Sequence, residues 1–115
     1  MPISITHSRG IGHPTIEVVL ANAVATTLDG DWAEIAGFAP ISVHVTGVSG
    51  ATRFELRGSN AASLPASTDQ GIILGTTVDA AAMVSVIVPV KYIKGNVVIW
   101  QTGTTVNARL FGGAT

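Results

Sequence analysis

Apolar and polar residues alternate with a period of two along much of the chain. Residues 41–46 read Ile-Ser-Val-His-Val-Thr and residues 53–57 read Arg-Phe-Glu-Leu-Arg, with a glycine-containing turn between them. Such alternation places one set of side chains on each face of an extended strand. We predict that the two segments form a β-hairpin in which Phe54 and Leu56 face the core.

Other segments share this strand-like pattern. Strands are also predicted at residues 17–25, 72–78, 84–90, 97–101 and 104–111. For residues 21–25, the end of the segment at 17–25, the start of a short helix is the alternative. In the segment at residues 84–90, Val84, Val86, Val88 and Val90 fall on one face, which is predicted to point inward. Pro89 cannot donate a ladder hydrogen bond, which indicates an edge strand or a bulge. Residues 94–96, Lys-Gly-Asn, are predicted to form a turn, and the last three strands are predicted to form a meander. The pattern predicts an all-β fold, an antiparallel β-sandwich or jelly roll of about eight strands.

The N-terminal segment is less regular than the rest. Apolar Ile3 and Ile5 alternate with polar residues, and glycines and Pro14 then interrupt the pattern. We predict that residues 1–15 form an extended N-terminal arm and that residues 16–115 form a single β-sandwich domain. The arm is predicted to pair with a neighbouring chain, and the alternative is that it pairs with its own sheet as a first strand. The candidate assembly residues of the arm are Ile3, Ile5, His7 and Ile11.

Charge is scarce in this chain. Only 11% of the residues are charged and the mean hydropathy is +0.50, whereas soluble domains carry about 25% charged residues. Much of the surface is therefore apolar or weakly polar, and we predict a homo-oligomer, with a trimer favoured. The net charge of −1, without a basic patch, argues against a nucleic-acid partner. The most apolar run, residues 80–90, is too short to span a bilayer, so no membrane partner is predicted.

Residues that could carry chemistry are few and scattered. There is no cysteine, which excludes thiol catalysis and disulfide scaffolds. The spacing of His7, His13 and His44 matches no short metal-ligand motif. Asp29 and Asp31 have the spacing of a calcium loop, but the rest of that loop pattern is absent. We predict no catalytic residue, no metal and no cofactor, and therefore a protein that is not an enzyme.

The aromatic residues allow one alternative. Trp32, Trp100 and Tyr92 are candidates for a platform on which a sugar ring stacks, with core packing as the simpler explanation of their presence. A carbohydrate-binding module is therefore the second functional class to consider.

Residues 45–60, Val-Thr-Gly-Val-Ser-Gly-Ala-Thr-Arg-Phe-Glu-Leu-Arg-Gly-Ser-Asn, resemble a pattern in small β-sandwich proteins of tailed-bacteriophage virions. The small size and the Ala, Thr, Val and Gly bias also resemble capsid decoration, or cement, proteins. The resemblance implies a structural protein of the virion that binds the major capsid protein or another virion protein and stabilises contacts between capsomers. The alternative is a carbohydrate- or receptor-binding β-sandwich module of a phage tail or fibre. The N-terminus lacks the features of a signal peptide, so synthesis in the host cytoplasm is expected.

Overall fold

The computed structural model describes residues 4–9, 14–36 and 38–114, and within them the chain is all-β. The ten strands are β1 (Ser4–Arg9), β2 (Pro14–Val24), β3 (Leu28–Asp29), β4 (Ala33–Glu34), β5 (Phe38–Thr46), β6 (Arg53–Ser59), β7 (Ile72–Ile73), β8 (Ala82–Val86), β9 (Tyr92–Ile99) and β10 (Val106–Ala114). The described residues include no helix that could cross a membrane. The predicted all-β fold is confirmed, with three two-residue strands raising the count above about eight.

The strands form two antiparallel sheets. The first has the order β1-β2-β10-β5-β8. The second has the order β3-β9-β6-β7, and β4 pairs with β9. Strands β1 and β8 are therefore the two edges of the first sheet.

The core lies between the inner faces of the two sheets. From the first sheet, Ile16, Val18 and Val43 are at most 1% exposed. From the second sheet, Phe54 and Leu56 are equally buried, as their alternation with charged residues predicted. Every second residue is buried along residues 41–45 of β5 and along β6, so each sheet supplies an apolar layer to the core.

The predicted hairpin between residues 41–46 and 53–57 is wrong. Strand β5 pairs with β10 and β8, whereas β6 pairs with β9 and β7. The connecting loop, residues 47–52, carries the chain from one sheet to the other, and its Val48 is buried. Gly47 begins this loop with a φ of +82°, a conformation that favours glycine. Period-two alternation fits both arrangements, since it fixes the buried face of a strand but not its neighbour.

The predicted turn at residues 94–96 is also wrong, because these residues lie inside β9. Gly95 is needed there for space: a Cβ atom at this position would lie 2.7 Å from Cζ of Phe54. Gly95 therefore marks a close approach of the Phe54 ring to the backbone of β9, and not a reversal of the chain. The predicted C-terminal meander is wrong as well, because β8 and β10 flank β5 in the first sheet while β9 belongs to the second.

The strand predicted at residues 84–90 is shorter than expected. Strand β8 lies at a sheet edge, as Pro89 indicated, but it ends at Val86. Val86 is buried, whereas Val88, expected on the same inner face, is 68% exposed. Likewise, only Ile72–Ile73 of the strand predicted at residues 72–78 is extended and paired in a ladder, with one further bridge at Val78.

The N-terminal segment pairs with its own sheet along β1. In this antiparallel pairing, Ile5 lies opposite Val18 and His7 lies opposite Ile16. Ile5 is 40% exposed, and Ile3 and Ile11 lie outside the described residues. This is the second of the two arrangements considered for the arm. A role of this segment in attachment stays a prediction.

Candidate functional site

Exposed apolar side chains lie at the end of the first sheet at β8. Met83, Ile87 and Val88 are 61%, 77% and 68% exposed. Between residues 71 and 90 the sequence has a single charged residue, Asp79. We call β8 together with residues 87–90 the apolar edge.

The backbone of the apolar edge adds hydrogen-bonding capacity to its apolar side chains. Among the described strands, β8 pairs with β5 alone. An edge strand leaves N–H and C=O groups along its free side, and a strand of another chain can satisfy them. Exposed apolar side chains beside free backbone groups are features that suit contact with a strand of another chain.

A second feature lies on the solvent side of the same sheet, which we call the outer face. Register places two rows of side chains across β2, β10, β5 and β8. One row is Val19, Arg109, His44 and Met83, and the other is Glu17, Phe111, Ser42 and Ser85. Side chains of these rows line a groove of about 310 Å³.

The outer face combines an exposed aromatic ring with charged groups. Phe111 is 51% exposed, and Glu17, His44 and Arg109 are also exposed. The described part of the chain contains two ion pairs, Arg57–Glu55 and Lys94–Asp29. The guanidinium group of Arg109 therefore has no carboxylate partner there.

A buried cation lies in the other sheet. Lys94 is 0% exposed, and its Nζ donates hydrogen bonds to Oδ1 of Asp29 at 2.8 Å and to the carbonyl oxygen of Ser67 at 3.3 Å. The ammonium group also lies 5.1 Å from the centre of the Trp32 ring, within the range of a cation–π interaction. Because these partners come from well-separated segments, Lys94 ties the loop at residues 60–71 to the sheet.

The neighbours of Lys94 complete this attachment. The indole Nε1 of Trp32 donates to the carbonyl oxygens of Ala66 and Asp69. Gln70 accepts a hydrogen bond from Asn96 and donates one to Asp29. Every buried side-chain nitrogen or oxygen in the described residues has a hydrogen-bond partner. The cluster therefore fixes the loop at residues 60–71 to the second sheet.

The two partners of the ion pair differ in burial, which predicts an asymmetry between their variants. Asp29→Asn leaves the buried ammonium of Lys94 without a counter-charge and should lower the free energy of unfolding by about 1–2 kcal/mol, below the value for a fully buried pair. Lys94→Met should have a smaller effect, because the side chain of Asp29 is 53% exposed and stays hydrated. Urea unfolding at neutral pH measures both. A larger loss for Lys94→Met would contradict this description.

The same pair predicts a pH dependence. The hydrogen bond from Lys94 holds the pKa of Asp29 below its ordinary value of 3.8, aided by Gln70 and by the Lys94 charge, while desolvation opposes the shift. A carboxyl group with a lowered pKa in the folded state stabilises the protein above its unfolded-state pKa, and this contribution disappears as the pH falls through the folded-state pKa. The stability difference between the wild type and Asp29→Asn should therefore shrink below about pH 3.8. A difference that stays constant down to the acid transition would argue against the pair.

Among the described residues, the candidate chemical side chains named in the sequence analysis do not form a site. Within the residues that it describes, no three His, Asp or Glu side chains form a group that could hold a metal ion. His13 lies outside the described residues, and His44 lies on the outer face. Asp29 is engaged by Lys94.

The alternative prediction, a sugar-stacking platform formed by Trp32, Trp100 and Tyr92, is wrong. Trp32 and Tyr92 are each 7% exposed, so neither presents a ring face to a ligand. Trp100 is partly buried and its Nε1 donates to the carbonyl oxygen of Thr104. The exposed aromatic ring of the sheet faces is Phe111, which sequence analysis did not single out. Phe111 directly follows buried Leu110 in an extended strand, so it lies on the outward face. The alternation of residues 106–110 in the sequence already indicated this position.

Comparison with known protein families, curated proteins and solved structures found no match for this chain. The fold is an antiparallel β-sandwich whose first sheet carries the groove on its outer face and the apolar edge at β8.

Proposed function

We propose that this chain is a non-enzymatic structural protein of a tailed-phage virion, most closely of the capsid decoration type. It assembles as a homo-oligomer, with a trimer favoured, and binds the major capsid protein or another virion protein. The observation that supports the proposal is the apolar edge, where Met83, Ile87 and Val88 are exposed beside a strand with a free side. The resemblance of residues 45–60 to virion sandwich proteins supplies the biological setting.

The mechanism is burial of the apolar edge against another protein. Complete burial of a side chain such as Ile or Met contributes about 1.5–3 kcal/mol relative to full exposure. Three such side chains, together with strand pairing along β8, offset part of the entropy lost on association. Many copies on one shell then add their contacts, so that each weak contact stabilises the particle collectively.

The alternative of a tail or fibre module that binds a receptor predicts a different location on the particle. We expect an antibody against this chain to label the capsid surface of phage particles from cells that carry the gene, as seen by electron microscopy. Label on the tail alone would favour the alternative. Particles that carry no label, with the chain present only in the cell lysate, would contradict the proposal of a virion protein.

A further inference from the structure

We propose that the groove on the outer face binds an acidic saccharide, with a sugar carboxylate against Arg109 and His44 and a sugar ring against Phe111. This site lies on the open face of the first sheet. It is separate from Ile87 and Val88, and only Met83 belongs to both the groove and the apolar edge.

The carboxylate position follows from two neighbouring nitrogen-bearing side chains. Arg109 on β10 lies opposite His44 on β5 in the register, and both side chains are exposed on the same face. Arg109 has no carboxylate partner within the described part of the chain. Its planar group of N–H donors matches the two oxygens of a carboxylate, and the imidazole adds a further donor.

The ring position follows from Phe111. This side chain is 51% exposed and lines both the groove and a second depression of about 370 Å³, which is also lined by Pro40, Ser42 and Ser85. An exposed aromatic ring can contact the apolar C–H face of a sugar. Glu17 lies opposite Phe111 on β2, and Ser42 lies opposite it on β5.

The mixture of donors and acceptors favours a saccharide over an acidic peptide. Sugar hydroxyls both donate and accept hydrogen bonds, so they suit a groove that holds the carboxylate of Glu17 as well as the guanidinium of Arg109. A bound peptide strand normally gains affinity from backbone pairing at a sheet edge. The groove instead centres on β10 and β5, each of which is already paired on both sides. A peptide would therefore find no free backbone partner there.

The test uses the full chain labelled with ¹⁵N and titrated with D-glucuronate, with D-glucose as the neutral counterpart. We expect millimolar glucuronate to shift the amide signals of β10 and β5 around Arg109, Phe111 and His44. Glucose should bind more weakly, because it cannot form the charge-assisted contact. Arg109→Gln should weaken glucuronate binding by about tenfold and bring it close to that of glucose.

Two further variants separate the ring contact from a general charge effect. Phe111→Ala should weaken both sugars, because both use the ring. Lys91→Gln removes an exposed cation outside the groove and should leave both titrations unchanged. Amide spectra of all three variants that otherwise match the wild type would show that each is folded.

Four outcomes would overturn the proposal. The first is the absence of shifts with glucuronate and with two other acidic sugars, galacturonate and N-acetylneuraminate. The second is equal binding of glucose and glucuronate that Arg109→Gln does not change. The third is a loss of binding in Lys91→Gln as large as in Arg109→Gln, which would show nonspecific attraction. The fourth is binding of a glutamate-rich peptide to this face in place of the sugars, which would assign the groove to a protein partner.

Discussion

Phe54→Ala should destabilise the chain more than any other single truncation considered. The side chain is 0% exposed and is the largest fully buried one in the described core. It packs so closely against Gly95 that a Cβ atom there would meet the ring. Truncation of a buried phenylalanine lowers the free energy of unfolding by about 3–5 kcal/mol, through lost burial and through the cavity that remains. Domains of this size are stable by only about 5–15 kcal/mol, so the variant should be close to unfolding.

Thermal and urea unfolding of Phe54→Ala and Phe111→Ala measure this prediction. Phe111 is 51% exposed, so its truncation removes the same atoms from a surface position and should change stability by less than about 1 kcal/mol. Equal losses in the two variants would show that the ring of Phe54 is not at the centre of the core.

Much of this core could be predicted from the sequence, because alternation alone reports which face of a strand is buried. Phe54 and Leu56 alternate with three charged residues, and both are buried as that pattern requires. Strand pairing could not be predicted in the same way. The loop after residue 46 is compatible with a reversal within one sheet or a crossing to the other, and the burial of Val48 in the crossing depends on contacts distant in sequence.

Residues 94–96 show a second limit of local patterns. Lys-Gly-Asn is typical of a turn, but Lys94 is buried within β9. Its charge is paired with that of Asp29, which is 65 residues away in sequence. The side-chain amide of Asn96 likewise donates a hydrogen bond to Gln70, in the loop at residues 60–71. Polar residues inside a strand are tolerated when distant partners satisfy them, and no local signal reports those partners.

The candidate sites could be predicted only in part. The low charge led to the prediction that another protein covers part of the surface, but it did not locate that part. Val88 was expected in the core because it continues the valine alternation, whereas β8 ends before it and leaves it exposed. The groove could not be predicted at all, since Arg109 and His44 become neighbours only through the pairing of β10 with β5.

The second large effect is expected on assembly. The double variant Ile87→Asp with Val88→Asp should remain folded, because both side chains are mostly exposed and lie beyond the end of β8. Association should nevertheless be lost, since burying two unpaired carboxylates in an apolar interface is strongly unfavourable. Leu64→Asp is the control, because Leu64 is 62% exposed and is not part of the apolar edge.

Light scattering coupled to size-exclusion chromatography tests the central claim most directly. At micromolar concentrations the wild type and Leu64→Asp should have the mass of three chains of 11.7 kDa, whereas the double variant should have the mass of one chain with an unchanged melting temperature. A wild-type mass of one chain, or a double variant that assembles like the wild type, would contradict assembly through the apolar edge.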